Sequence, residues 1–132
     1  MAITKNGARQ YGLWAEVDFA LADLASGVAA LAIDIPGNAV VVGGELVIRT
    51  VFNSGTSDTF IVGDDGVTNR YANAVNGQTA ARTALTLTGY RYTAPNTIDV
   101  TWTAVGTAAT AGAGTLRVQY VIKDRAQEVQ PV

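Results

Sequence analysis

Histidine and cysteine are both missing from this 132-residue chain. Without histidine, the side chain that most often serves as general base or metal ligand near neutral pH is gone. Without cysteine there can be no disulfide framework, no thiolate metal site and no thiol nucleophile, and the redox compartment leaves no mark. The Ser-His-Asp and Cys-His constellations are therefore excluded. Serine is confined to Ser26, Ser54 and Ser57, none of them in a G-x-S-x-G elbow or an S-x-x-K motif that would activate its hydroxyl. Charge is also scarce: nine cations and eleven anions leave a net −2, with no basic field to attract nucleic acid. The most apolar stretch, residues 28–42, is broken by Asp34 and Pro36, too short for a membrane span. At the N-terminus Lys5 and Arg9 lead into Trp14, Glu16 and Asp18 before any long apolar run, so a secretion signal is not expected and synthesis is expected in the cytoplasm.

What the sequence does have is apolar residues, at 48%, and alternation. Along residues 97–104, Ile98, Val100, Trp102 and Ala104 fall on one face and Thr97, Asp99, Thr101 and Thr103 on the other, the period of a half-buried strand. Residues 115–123 repeat this, with Leu116, Val118, Tyr120 and Ile122 opposing Thr115, Arg117, Gln119 and Lys123. Residues 45–52 are apolar on both sides, which predicts a central strand with apolar neighbours on both faces. Shorter β-rich runs lie at 30–35, 40–42, 59–62, 83–87 and 90–93, with a turn at Pro36-Gly37-Asn38. Residues 13–28 fit either period; a strand through Phe19 followed by a helical turn near 21–25 is the preferred reading. About eight strands between Gly, Asn and Pro turns predict an all-β, antiparallel β-sandwich of jelly-roll type. Residues 11–123 form this domain. Residues 1–10 and 124–132 lack alternation and are expected to be an N-terminal arm and a C-terminal tail. Residues 105–114, nearly all Gly, Ala and Thr, cannot pack a core and predict a flexible or small-residue loop.

Chemistry has few places to reside. Glu16, Asp18, Asp58, Asp64 and Asp65 could supply the paired acids of a glycan hydrolase, but acids at turns are more often caps. Asp58, Asp64 and Asp65 could offer oxygens to calcium, yet the spaced ligands and closing Glu of an EF-hand are missing, and a hairpin turn at Gly63-Asp64-Asp65-Gly66 is favoured. Gly43-Gly44 and the glycines at 106–114 match no phosphate loop and predict turns and bulges. Tyr11, Trp14, Tyr71, Tyr90, Tyr92, Trp102 and Tyr120 are the large amphipathic rings. Trp102 and Tyr120 are assigned to the core, whereas Tyr11 and Trp14 sit beside the arm and could anchor it. Arg70, Arg82, Arg91 and Arg117 are expected to be solvated or paired across strands. No catalytic, cofactor or metal residue is assigned.

The succession Ile33-Asp34-Ile35-Pro36-Gly37, Val40-Val41-Val42-Gly43-Gly44-Glu45-Leu46, Phe52-Asn53-Ser54-Gly55-Thr56-Ser57-Asp58-Thr59 and Val62-Gly63-Asp64 resembles small virion proteins of tailed phages. The likeness continues through Asn69-Arg70-Tyr71, Gly89-Tyr90, Asn96-Thr97-Ile98-Asp99-Val100-Thr101-Trp102-Thr103 and Leu116-Arg117-Val118-Gln119-Tyr120-Val121-Ile122, covering roughly residues 30–123. It implies a β-sandwich or jelly-roll head auxiliary of the decoration (cement) type. Such a protein would bind the major capsid protein lattice and itself, often as a trimer, and would reside in the phage head after synthesis in the host cytoplasm. No nucleic acid, membrane or cofactor partner is implied, and no functional residue is carried over. A tail or baseplate component, or a receptor module that binds glycans, is the alternative, with a small glycan hydrolase behind it.

Overall fold

The computed structural model describes residues 2–129. Among them are ten strands, β1 (Ala8–Arg9), β2 (Leu13–Ala20), β3 (Ala29–Ile35), β4 (Ala39–Thr50), β5 (Ser57–Gly63), β6 (Ala72–Asn76), β7 (Arg82–Ala84), β8 (Asn96–Val105), β9 (Ala113–Ile122) and β10 (Glu128–Val129), with one 3-10 turn at Leu21–Asp23. The antiparallel pairs β1-β10, β2-β9, β3-β8, β4-β7 and β5-β6 make the chain one long two-stranded ribbon. Rolling the ribbon joins β9 to β4 and β8 to β5. The result is two four-stranded sheets, ordered β2-β9-β4-β7 and β3-β8-β5-β6. That is the jelly roll: two sheets, eight principal strands, each sheet drawing from both halves of the chain.

Alternation places the core. Leu46, Ile48, Leu116 and Val118 from one sheet meet Phe60, Val62, Ile98 and Val100 from the other, all buried. Phe60 packs on Phe52 and Phe19 with ring centroids 5.0 and 5.9 Å apart, and Phe52 also meets Trp102 at 5.7 Å, so aromatic contacts bridge the layers. Close approach requires glycine at several positions, Gly44 and Gly112 among them: a Cβ on Gly44 would strike the Arg117 carbonyl, and one on Gly112 the Phe52 ring.

Several expectations change. Residues 40–42 and 45–52 are not two strands; β4 runs through Gly43-Gly44, which absorb a bulge where the register against β9 shifts. β4 is central, but Val51 is exposed and only the face of Leu46 and Ile48 is fully buried. The run at 83–87 is strand only to Ala84, and 90–93 makes just an isolated bridge from Arg91 to Val40, because both belong to a connection that crosses between the sheets. At Pro36-Gly37-Asn38 it is Asn38 that takes the left-handed conformation. β6 carried no periodic signal and was not expected. Tyr120, assigned to the core, is only half-buried, since β9 runs out toward the end of the sandwich there. The strand through Phe19 and the helical turn after it are both present.

Candidate interaction surface

The acids separate into two groups. Asp58 and Asp64 point inward at opposite ends of β5, six residues or roughly 20 Å apart. Asp58 is fully buried and accepts from the Ser54 backbone N–H (2.8 Å), Ser54 Oγ (2.7 Å), Gln78 Nε2 (2.9 Å) and Trp102 Nε1 (2.8 Å). Burial pushes its carboxyl up, but the donors from Gln78, Ser54 and Trp102 together outweigh burial and hold it below the ordinary range. Asp64 accepts from Arg70 Nε at 2.6 Å, from the N–H groups of Gly66 and Val67, and from the Tyr92 hydroxyl at 2.8 Å. Burial again opposes, and Arg70, Val67 and Tyr92 again prevail, leaving its carboxyl low. Since Tyr92 donates to Asp64, the 2.7 Å contact between the tyrosine hydroxyls has Tyr71 donating to Tyr92. Burial pushes both phenols up. Arg70 covers the Tyr90 ring at 3.7 Å, and Tyr90 packs edge-on against Tyr92.

These two carboxylates fasten loops. Asp58 ties the β4-β5 and β6-β7 connections together at one end of the sandwich, and Asp64 ties the β5-β6 and β7-β8 connections at the other. The expected tight hairpin at 63–66 is a longer loop from Asp64 to Tyr71, folded around the Asp64 carboxylate. Asp65 accepts from Asn96, and among the described residues no three acids gather as a metal site. Asp99, on the face of β8 read as polar, is buried; burial raises its carboxyl, and Asp65 and Asp64 add to the rise. Gln78 carries no sequence signal of its role, and Arg70 was named without its partner. Of residues 105–114, the ends belong to β8 and β9 and the small-residue loop between them is tied down: Asn53 Oδ1 accepts from the N–H groups of Thr110 and Ala111.

The second group lies on the outer face of the β2-β9-β4-β7 sheet. Here Glu16, Arg117, Glu45 and Arg82 form a row of alternating charge across all four strands, with Arg117 2.9 Å from Glu16 and 2.7 Å from Glu45. Arg82 first and Arg117 second hold the Glu45 carboxyl low. Beside this row Asp18 accepts from Thr115 Oγ1, which itself accepts from Arg49. Trp14 stands on the same face, 61% exposed, opposite Gln119, whose side chain fills the room left by Gly12 and Gly43. Tyr11 is 58% exposed with its hydroxyl on Glu128. The sequence-predicted acids Glu16 and Asp18 are thus brought beside arginines, and the exposed rings Trp14 and Tyr11 are brought to one end of a broad sheet face whose charges are neutralised.

No protein-family model matches the chain, and no curated protein matches it in sequence. Solved structures do match in fold. A chain of the cyanophage Pam1 capsid asymmetric unit is 20% identical with a TM-score of 0.68, covering 92% of this chain and 94% of that one. A chain of the Ralstonia phage GP4 capsid is 20% identical with a TM-score of 0.68, covering 100% and 92%. A chain of the acid-stable capsid of Helicobacter pylori bacteriophage KHP30 is 17% identical with a TM-score of 0.65, covering 84% and 87%. At these identities the likeness is one of fold. Among the described residues no helix is long and apolar enough to cross a membrane.

Proposed function

We propose that the protein is a structural subunit of a tailed-phage virion, added to the head as a decoration (cement) protein that binds the major capsid protein lattice and stabilises it without doing chemistry. The observation that carries this reading is the match in both fold and length to chains from three phage capsids, with at least 84% of this chain and 87% of theirs covered. A one-domain chain of that length fits a subunit added to a shell. The surface supports the reading too. A wide, charge-neutralised sheet face ending in Trp14 and Tyr11 offers aromatic anchors, and repeated weak contacts on a lattice need no deep pocket. Self-association as a trimer would match local symmetry on such a lattice. On this reading residues 11–123 supply the folded body, residues 1–10 and 124–132 supply contacts, and the protein is made in the host cytoplasm before joining the head.

The test is to mix purified protein with undecorated heads and image them by electron cryomicroscopy, then heat decorated and bare heads together. Saturable density on the head and a raised rupture temperature are expected. Density confined to the tail or baseplate would overturn the head assignment in favour of the alternative.

A further inference from the structure

β2 and β3 end their sheets on the same side of the sandwich, and among the described residues no strand pairs with either free edge. Between them lies a cavity of about 230 Å³ walled by Val17, Phe19, Leu24 and Leu31, with Asp18 and Asp23 exposed beside it. Leu31 is 71% exposed at its mouth. Asp18 and Asp23 each accept a hydrogen bond, from Thr115 and the Ala20 N–H, and Arg49 stands 4.0 Å from Asp18; the carboxylates keep lone pairs for another cation. The cavity is therefore apolar within and acidic at the rim.

The N-terminal arm has the complementary chemistry. Ile3 is 94% exposed, and Lys5 lies two residues further on, so on an extended strand both side chains share a face. The arm does not occupy its own cavity, since Ile3 stands exposed away from it. Gln10 is fixed at the far end of the sandwich, where its side chain donates to the Ile122 carbonyl at 2.6 Å and accepts from the Ile122 N–H at 2.8 Å. From Gln10 to Phe19 is nine residues of extended chain, roughly 30 Å, whereas the seven from Gln10 back to Ile3 reach roughly 24 Å at most, so the arm falls short of the Phe19 end and meets Val17 only at full stretch.

We infer that the arm of one copy docks on the next: Ile3 enters the cavity between β2 and β3, Lys5 meets Asp18 and Asp23, and the backbone of residues 2–6 lies along a free strand edge. The inference rests on the self-association in the proposed function and names its contact. The contact is head-to-tail, so it closes into a ring when the rotation allows.

The absence of native cysteine permits a direct test. The full chain carrying Ile3→Cys is mixed with the full chain carrying Leu31→Cys and oxidised, alongside a control mixture in which Leu87→Cys, exposed on the β7-β8 connection, replaces Leu31→Cys. The Ile3-Leu31 heterodimer is expected in roughly tenfold excess over the control pair, since docking raises the effective concentration. Lys5→Glu should lower that yield about two- to fivefold, the worth of an exposed ion pair, and Asp23→Lys on the partner should restore it. Equal yields for the two mixtures would overturn the inference, as would an internal disulfide in the Ile3→Cys/Leu31→Cys double variant, which would put the arm in its own cavity. The two readings fail separately: head decoration without selective cross-linking removes arm docking alone, and selective cross-linking without head decoration removes the lattice reading alone.

Discussion

Asp58 gathers four donors on one buried carboxylate, and its worth can be measured. Asp58→Asn turns an acceptor into a donor facing donors, and should destabilise the domain by about 2–3 kcal/mol in urea titrations at neutral pH. The carboxyl is held below its ordinary value, so its contribution is full above the unfolded value of about 3.9 and fades as pH falls through the lower folded one. The gap between wild type and Asp58→Asn should therefore close in acid. Asp99 has the opposite sign: burial raises its carboxyl, so its charge costs stability above the raised value and the cost vanishes below the unfolded one. Asp99→Asn keeps an acceptor for Thr97 and should raise the melting temperature at neutral pH, with a smaller gain as pH falls. Trp102→Ala should cost about 3–5 kcal/mol, for it empties an aromatic site and also strips Asp58 of a donor. The sequence marked Trp102 as core by alternation, but nothing local marked Asp58 as its partner, since that hydrogen bond joins residues 44 apart in the chain.

At the scale of elements, β6 stores strain. Ala74 has φ 52, in the left-handed region, where the register against β5 shifts. A side chain there costs about 1–2 kcal/mol relative to glycine, part of which glycine returns through its freer unfolded chain. Ala74→Gly should raise stability by a few tenths to about 1 kcal/mol in thermal melts; a loss would show that the bulge needs its Cβ. The terminal pair is the other element to probe. β1 and β10 continue the ribbon beyond β2 and β9, held by Gln10 on Ile122 and Tyr11 on Gln127 and Glu128. Gln10→Ala should speed amide exchange at Ala8, Arg9 and Gln127 while leaving β8 and β9 protected. Two-residue strands are too short to write a period, which is why the ends of the sequence show none.

As a whole molecule the ribbon pairs the first strand with the last, so few contacts form early between chain neighbours. Refolding should be slow for the chain's size, on a millisecond-to-second scale in stopped-flow fluorescence. Removing residues 1–7 should leave the domain folded by circular dichroism, since Ala2 to Asn6 are exposed, but should lower head occupancy. Loss of folding would mean that the arm supports the body.

The sequence by itself determined the fold class, the best strands and the lack of histidine and cysteine side chains, because alternation and composition are local properties that survive unfolding. β8 and β9 are written in it by their alternation, with the burial of Asp99 and the partial exposure of Tyr120 as the exceptions. Where the acids point was decided only by the tertiary structure. Asp58, Asp64 and Glu16 look alike along the chain, yet the first two are drawn inside by donors from distant loops and the third faces Arg117 on an adjacent strand. The bulge at Gly43-Gly44, the cavity between β2 and β3, and the separation of the arm from it depend on how the ribbon is rolled, and rolling is a long-range choice that no window of neighbouring residues contains.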